Sequence, residues 1–211
     1  MVFSLPQDAL LFPDPALADP DGLLAIGGDL SPERLIMAYE NGIFPWFSEG
    51  DPICWFSPPE RCVIIPEEVK VSKSMKKVFK DGTFNIKMNT AFAEVIKHCA
   101  SVYRKGQGGT WITNDMQKAY IRLHEAGVAH SVEVWQGNEL VGGLYGLKIN
   151  HVFCGESMFS LVSNASKAAL IWLCRKPEFQ LIDCQVPNDH LFSLGAKLIP
   201  RADYLKYLKQ V

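Results

Sequence analysis

The sequence contains no apolar run of the roughly 18 residues or more that a membrane-spanning helix needs. Its first 20 residues lack a basic start and are interrupted by prolines, so we expect no secretory signal peptide and no membrane partner. Neither sign of charge dominates, since 21 Lys and Arg residues stand against 23 Asp and Glu residues. This balance offers no overall attraction for nucleic acid, so a polyanionic partner would have to bind at a local basic patch.

Several cysteine and glycine motifs are also missing. The six cysteines form no C-x-x-C pair and no Cys/His cluster with zinc spacing. We therefore expect no metal site, and interpret them as small core residues of a protein in the reducing cytoplasm. No G-x-S-x-G nucleophile motif is present. The basic, glycine-rich segment RKGQGGTW lacks G-K-[ST] and a preceding strand, which excludes a phosphate-binding P-loop.

Apolar material is abundant, at 48% of 211 residues, which suits one large domain or two small ones. Residues 1–65 are rich in proline and aromatics and contain one clear helix, SPERLIMAYENG. Ser31 suits its N-cap, Pro32 its first turn and Gly42 its end. We predict a small N-terminal domain here and a second domain over residues 66–211.

The second part of the chain has a regular order of predicted elements. Helices are expected over residues 91–100, 114–127 (with Asn114 as cap), 164–174 (with Asn164 as cap), 189–194 and 202–209; strands are expected over 131–136, 140–149, 151–157, 181–185 and 197–199. Three meander strands followed by helix, strand, helix and strand match the core of the acetyltransferase-like (GNAT-type) mixed α/β fold. The predicted class is α+β, and this analogy alone indicates no function.

The predicted strand LIDCQ carries a carboxylate within an apolar run. With a period of two, Asp183 and Gln185 project from one face. Burying a lone carboxylate is costly, so the pair needs a reason to be there. A carboxylate beside an amide can orient and polarise a nucleophile, but a structural Asp–Gln pair capping a neighbouring loop is equally compatible with the spacing.

A second carboxylate lies in the apolar segment FCGESMFS. The period of two places Cys154, Glu156 and Met158 on one face of its strand. If this strand lies near LIDCQ, Glu156 and Asp183 could line one acidic pocket suited to a cationic substrate. The alternative is a buried glutamate paired with a basic residue such as Lys167.

A lysine-rich segment, VKVSKSMKKVFK, contains no acidic residue. Lys73, Lys76, Lys77 and Lys80 recur at a spacing that places them on one helical face. A phosphate backbone would be a natural partner for this face, although a solvated lysine face is the more common explanation. Trp46, Trp55 and Trp111 could form an apolar wall or stacking platform, or could belong to the core.

A series of segments, in order from about Phe12 to Leu208, resembles the leucyl/phenylalanyl-tRNA–protein transferase family. The segments are DPDGLLAIGGDLSPERLIMAYENGIFPWF, GTWIT, AYIRLHEAGVAHSVEVW, LVGGLYG, FCGESMFS, NASKAAL, LIDCQ and HLFSLGA. The resemblance implies a cytoplasmic enzyme that transfers leucine or phenylalanine, and less well methionine, from its tRNA to proteins with an N-terminal Arg or Lys. The product enters the N-end degradation pathway. No cofactor and no coenzyme A are implied, and we expect a monomer.

The same resemblance assigns roles to individual residues. Asp183 and Gln185 are the implied catalytic pair, and Glu156 lies at the acceptor site. Trp46 and Trp111 are implied to flank the terminal adenosine and aminoacyl group. The implied apolar pocket for the amino-acid side chain consists of Leu144, Phe153, Met158, Leu170, Leu173 and Ile182. The implied grip on the tRNA body consists of Lys73, Lys76, Lys77 and Lys80.

The chain departs from the family pattern at three positions. Leu144 stands where methionine is frequent, Leu173 where an aromatic residue is frequent, and Leu161 where an arginine is common. The first two keep the pocket apolar but could shift its preference between leucine and phenylalanine. Two other classes remain open: a coenzyme A-dependent N-acetyltransferase, which the glycine-free stretch MFSLVSNAS argues against, and a non-catalytic RNA-binding module.

Overall fold

The computed structural model describes residues 2–101 and 110–210. Most of the glycine-rich segment discussed above, residues 104–109, lies outside the described residues. Within the described part, no helix is both long and apolar enough to span a membrane.

The first part of the chain builds a four-stranded sheet around one helix. Its strands are β1 (Phe3–Leu5), β2 (Leu23–Gly27), β3 (Phe44–Pro45) and β4 (Cys54–Phe56), in the order β1-β2-β4-β3. The predicted helix is confirmed as α1 (Pro32–Glu40), with the Ser31 hydroxyl accepting from the Arg34 amide at 3.4 Å. None of these four strands was predicted; β1, β3 and β4 have only two or three residues each and so show no periodicity.

The rest of the chain builds a seven-stranded sheet in the order β11-β5-β10-β9-β8-β7-β6. Its strands are β5 (Glu60–Ile64), β6 (Asn85–Met88), β7 (Ala129–Gln136), β8 (Glu139–Ile149), β9 (Val152–Ser160), β10 (Leu181–Gln185) and β11 (Lys197–Pro200). The predicted meander is confirmed as β7–β8–β9, and β10 runs parallel to β9 and antiparallel to β5.

The described part of the chain contains six helices beyond the smaller sheet. They are α2 (Lys73–Lys80), α3 (Phe92–Ser101), α4 (Asn114–Glu125), α5 (Ala165–Cys174), α6 (Asp189–Ser193) and α7 (Arg201–Leu208), with short 3-10 turns at Pro15–Leu17 and Pro66–Glu68. The predicted caps need correction. Thr113, not Asn114, caps α4 through a 3.2 Å bond from the Met116 amide. Asn164 precedes α5 in a left-handed conformation, and its side chain makes no capping bond.

Apolar side chains fill both faces of the larger sheet. Successive residues of β10 alternate between the two cores, since Leu181 joins the face covered by α3, α4 and α7 while Ile182 joins the face covered by α2 and α5. The change from the smaller to the larger sheet falls between Phe56 and Glu60. The division into residues 1–65 and 66–211 stays a prediction.

Candidate active site

A cavity of about 720 Å³ opens where the end of β3 faces β8, β9, α5 and β10. It brings together every residue that the sequence proposed for chemistry and for aminoacyl or adenosine binding. These residues are Trp46, Trp111, Leu144, Phe153, Glu156, Met158, Leu170, Leu173, Ile182, Asp183 and Gln185. The cavity therefore has an apolar part and a polar part, and both β9 and β10 contribute residues to each.

The apolar part lies between the larger sheet and α5. Leu144 and Phe153 point to it from β8 and β9, and Leu170 and Leu173 from α5; all four side chains are buried. Phe153 is held edge-on by Phe179, with ring centroids 5.4 Å apart. A pocket formed by a sheet face and a packed helix is rigid and selects apolar groups by shape.

Asp183 is fully buried and is paired with an arginine that the sequence interpretation missed. Nε and Nη2 of Arg61 each donate to a different Asp183 oxygen at 2.8 Å, and the Tyr204 hydroxyl donates to Oδ2 at 2.8 Å. The Gln185 backbone amide donates to Oδ1 at 2.8 Å. Each carboxylate oxygen thus accepts two bonds, so Asp183 presents no unpaired charge to the cavity.

The sequence around Arg61 shows the feature that drew attention to Asp183, a charged residue within an apolar run. Arg61 lies inside the apolar run of β5, and only 1% of it is exposed. Burial alone would lower the pKa of Arg61, but the adjacent Asp183 carboxylate and Tyr204 outweigh burial and raise that pKa. Two charged residues in neighbouring buried strands could have been paired from the sequence, had β5 been recognised.

Gln185 reaches the cavity because β10 is irregular at its end. A register shift between Asp183 and Gln185 in the pairing with β5 leaves Gln185 at φ 60°. The amide Nε2 of Gln185 donates to Oε1 of Glu156 at 2.6 Å. With its nitrogen directed at Glu156, the Gln185 side chain has a carbonyl oxygen that accepts from no other described residue and can accept a bond from a ligand.

Glu156 lies at a second irregularity, in the pairing of β9 with β8. The register passes from Ser157 to Gly155, so Glu156 has no partner residue on β8. The prediction that Cys154, Glu156 and Met158 share one face is therefore wrong, because Cys154 and Met158 join opposite cores. A bulge of one residue reverses the alternation of side chains beyond it.

Two buried tyrosines surround the Glu156 carboxyl group. The Tyr39 hydroxyl donates to Oε1 at 2.5 Å, the Tyr120 hydroxyl to Oε2 at 3.1 Å, and the two hydroxyl oxygens are 2.5 Å apart. Three contacts among these groups need three protons, but the two hydroxyls supply only two. If Glu156 is protonated, its proton supplies the third, and one of the two hydroxyls then accepts from Glu156 and donates to the other hydroxyl.

Burial is the main cause that raises the pKa of Glu156 to about 7, against the lowering effect of its hydrogen-bond donors. Burial and the nearby Glu156 charge raise the pKa of both Tyr39 and Tyr120 well above their ordinary value, so both hydroxyls keep their protons. The suggested partner Lys167 lies instead at a separate cavity of about 420 Å³, beside Lys70. Among the described residues, no lysine or arginine pairs with Glu156.

The three tryptophans have different positions. Trp46 is 44% exposed at the cavity rim, 5.7 Å from the Phe56 ring, and Trp111 is partly exposed on the same cavity. Trp55 is fully buried, and its indole nitrogen donates to the Gly27 carbonyl at 2.9 Å. Trp55 is thus a core residue, and only the other two can contact a ligand in the cavity.

The lysine-rich segment forms the helix α2, as its spacing indicated. Lys73, Lys76, Lys77 and Lys80 are all exposed, whereas Met75 is buried against the sheet. Lys77 pairs with Asp81 at 2.6 Å, an exposed ion pair of small energetic weight. This surface, which we call the lysine face, is separate from the residues that line the cavity.

Two family models match the chain, over different residues. The family model "Leucyl/phenylalanyl-tRNA protein transferase" matches residues 63–209, and "Leucyl/phenylalanyl-tRNA protein transferase N-terminal domain" matches residues 28–59. The protein named leucyl/phenylalanyl-tRNA–protein transferase from Flavobacterium psychrophilum is 56% identical over 204 residues, covering 95% of this chain and 97% of its own. The protein of that name from Shigella dysenteriae serotype 1 is 56% identical over 214 residues, covering 98% of this chain and 89% of its own.

Solved structures give a weaker likeness. A conserved protein of unknown function from Bacteroides thetaiotaomicron is 10% identical with a TM-score of 0.47, covering 72% of this chain and 56% of its own, which carries no argument about the fold. The family models and the curated relatives, by contrast, span nearly the whole chain. The chain belongs to the leucyl/phenylalanyl-tRNA–protein transferase family.

Proposed function

We propose that this protein transfers leucine or phenylalanine, and less well methionine, from aminoacyl-tRNA to the α-amine of proteins that begin with Arg or Lys. The product carries a new N-terminal residue that marks it for degradation. The observation that carries the proposal is a single cavity in which an apolar pocket adjoins the Glu156 carboxyl and the Gln185 amide. The chemistry follows from what each part of the cavity can bind.

The aminoacyl side chain enters the apolar part between the sheet and α5. Leucine and phenylalanine branch at or beyond Cγ, so they extend past the pocket entrance before widening. Apolar pockets discriminate between such shapes by about 1–3 kcal/mol per methylene, so some acceptance of methionine is expected. Trp46 and Trp111 at the rim provide aromatic faces for the terminal adenosine.

The attacking amine is held by Gln185. An α-amine has a pKa of about 7.7–8.0, so part of it is neutral at pH 7 and needs no strong base. The Gln185 carbonyl oxygen accepts a bond from this amine and holds it against the ester carbon. A C–N bond forms, the ester C–O bond breaks, and the proton that the amine loses balances the one that the leaving ribose oxygen gains, with the ribose 2′-hydroxyl able to relay it.

Glu156 supplies the negative charge for the acceptor. Asp183 has its charge matched by Arg61, whereas Glu156 has only neutral donors among the described residues. Above about pH 7 its carboxylate attracts the cationic N-terminal residue and favours the ammonium that develops as the C–N bond forms. Asp183 acts on Gln185 through the backbone bond and orients it.

Family membership also supports proposals about the tRNA contact, the fold of the larger domain, the oligomeric state and the location of the protein. The lysine face of α2 would contact the phosphate backbone of the tRNA body. The meander β7–β8–β9, then α5, then β10 parallel to β9, is the arrangement that supports an acetyltransferase-like larger domain after a small N-terminal one. We further propose a monomer in the cytoplasm, where leucyl-, phenylalanyl- and methionyl-tRNA are available.

A transfer assay tests the proposal directly. The purified protein is mixed with radiolabelled leucyl-tRNA and a peptide that begins with Arg, with the same peptide beginning with Gly as control. Label should appear in the Arg peptide alone, without ATP, metal or acetyl-CoA. Retention of tRNA without transfer would indicate an RNA-binding module, and calorimetric binding of acetyl-CoA would indicate an acetyltransferase; either result would contradict the proposed activity.

A further inference from the structure

Arg61 links two elements that line the cavity, β10 and β3. On one side its guanidinium donates through Nε and Nη2 to Asp183, both at 2.8 Å, and Asp183 in turn accepts from the Gln185 amide. On the other side Nη1 donates to the Gly42 carbonyl at 3.4 Å, and the guanidinium lies 4.6 Å from the Phe44 ring centroid. The buried Arg61 side chain therefore contacts both β10, which carries Asp183 and Gln185, and the chain at the start of β3.

The β3 side leads directly to the proposed adenosine contact. Phe44, Pro45 and Trp46 are consecutive and all line the cavity. The planar guanidinium can donate in two directions while stacking on an aromatic ring, which a lysine ammonium cannot do. The Arg61 guanidinium therefore sets the position of Trp46 relative to Gln185.

Tyr204 completes the arrangement from α7. Its hydroxyl donates to Asp183 Oδ2 at 2.8 Å, and the Arg61 guanidinium lies 4.7 Å from its ring centroid. The same ring packs against Gly42, where an added Cβ would lie 3.1 Å from Tyr204 Cε1. Arg61 is held between the rings of Phe44 and Tyr204, and both it and Tyr204 are essentially inaccessible to solvent.

A role in stability alone does not explain this cluster. A buried ion pair is often no more stabilising than apolar residues of similar volume. The cluster does hold an unfavourable feature, because Gln185 occupies a left-handed conformation that a residue with a side chain rarely adopts. The Asp183 carboxylate fixes that conformation through the Gln185 amide, and Arg61 and Tyr204 fix the carboxylate.

We propose that Arg61 and Tyr204 are positioning residues of the transfer reaction. They immobilise the Asp183 carboxylate, which holds the Gln185 backbone and so places its side-chain carbonyl oxygen, while Arg61 also holds segment 44–46, which carries Trp46. The inference rests on the proposed function. It implies that Asp183 takes no proton from the amine, since all of its acceptor positions are occupied by donors within the protein.

The test compares Tyr204→Phe and Arg61→Lys with the unaltered protein in single-turnover transfer from leucyl-tRNA to an Arg peptide. Tyr204→Phe keeps the ring and removes one donor; loss of a hydrogen bond to a charged group corresponds to about a tenfold lower rate constant. Arg61→Lys cannot donate to both oxygens and should lower the rate constant further. The Kd for leucyl-tRNA should change less than the rate constant in both variants.

Arg34→Lys provides the matched control. Arg34 is also buried, but it donates to the carbonyls of Pro6 and Ala9 at 3.0 Å, and it lies outside the cavity lining. This variant should lower the Tm and the reactive fraction without changing the rate constant of the fraction that reacts. A defect in folding alone lowers the amplitude of the single-turnover reaction, because fewer molecules react. A positioning defect lowers its rate constant.

The outcomes are distinct. Slower single turnovers in both site variants, with an unchanged rate in the control, support the positioning role. Rate constants within about twofold of the unaltered protein, less than half a kcal/mol in barrier, would overturn it even if Tm falls. If the unaltered protein transfers nothing, the proposed function itself is wrong and this inference is wrong with it.

Discussion

At the scale of single residues, the two carboxyl groups of the cavity differ in the charge of their hydrogen-bond partners. Asp183 accepts four hydrogen bonds and faces a buried guanidinium, so its charge is matched. Glu156 is surrounded by neutral donors, and burial raises its pKa to about 7. In the proposed mechanism the first carboxylate orients Gln185, and the second has a charge that varies near pH 7.

Asp183→Ala should lower turnover by orders of magnitude while leaving tRNA binding nearly unchanged. The variant removes the acceptor for the Gln185 amide and leaves Arg61 unpaired, which costs about 3–5 kcal/mol of stability in buried pairs. Turnover must therefore be normalised to the folded fraction, measured by circular dichroism at the assay temperature. Near-normal transfer by the folded variant would refute the orienting role.

Glu156→Gln should remove a pH dependence. In the unaltered protein, transfer should fall below about pH 7 as Glu156 gains a proton, in addition to the loss of neutral amine. The variant should transfer more slowly and follow only the titration of the amine, at about pH 8. A kcat/KM profile from pH 5.5 to 9 at constant ionic strength distinguishes the two; identical profiles would argue against Glu156 as the titrating group.

The same substitution tests stability. The folded protein retains the Glu156 proton to a higher pH than the unfolded chain, whose pKa is near the ordinary value of 4.5. Stability should therefore decline as pH rises from about 4.5 to about 7 and lose this dependence above that range. The Tm of Glu156→Gln should lack this part of the decline; a parallel decline in both proteins would show that other groups cause it.

At the scale of elements, the period of a strand is reliable only where the strand is regular. The regular part of β10 was predicted with its bounds, and Asp183 was recognised because a charge interrupted an apolar run. The bulge at Glu156 in β9 was not predicted, although Gly146 and Gly155 flank it and glycine in a strand often accompanies a bulge. The left-handed Gln185 in β10 was not predicted either, since its residue type does not mark it. Both irregularities bring polar side chains to the cavity, so the pattern failed where the candidate site is built.

Helix α2 was predicted from the spacing of its lysines, and the exposed lysine face agrees with that spacing. Replacing Lys73, Lys76, Lys77 and Lys80 by Ala should weaken tRNA binding and reduce the slope of log Kd against log salt, because fewer counterions are released. Lys118 and Lys206, exposed by 70% and 72%, serve as control substitutions on other helices. An unchanged salt slope for the fourfold variant would exclude the lysine face as the grip.

At the scale of the whole molecule, the cavity depends on residues far apart in the chain. Arg61 is 122 positions from Asp183, and Tyr39 is 117 positions from Glu156. Periodicity describes neighbours along one element and contains no information about such pairs, so the partners of both carboxylates escaped prediction. The family resemblance identified residues by motif, and it too supplied no partner for them.

Gly42 lies where the smaller sheet meets α7, so its replacement tests this junction. Its φ of 70° disfavours any side chain, and an added Cβ would come 2.7 Å from Leu205 Cδ2. Gly42→Ala should lower the Tm by a few degrees and slow transfer by displacing Tyr204. Gly137→Ala is the matched control, with φ 59° but nothing within 4 Å; equal effects of the two on transfer would indicate backbone strain alone.

The most direct measurement of the central claim is single-turnover transfer by the unaltered protein and by Gln185→Leu. Leucine keeps the approximate size of the side chain but offers no oxygen to the amine. We predict labelled Arg peptide from the unaltered protein, and a rate constant lower by about 100-fold or more in the variant, with leucyl-tRNA bound equally well. Equal rate constants for the two proteins would contradict the assignment of Gln185 to the chemistry.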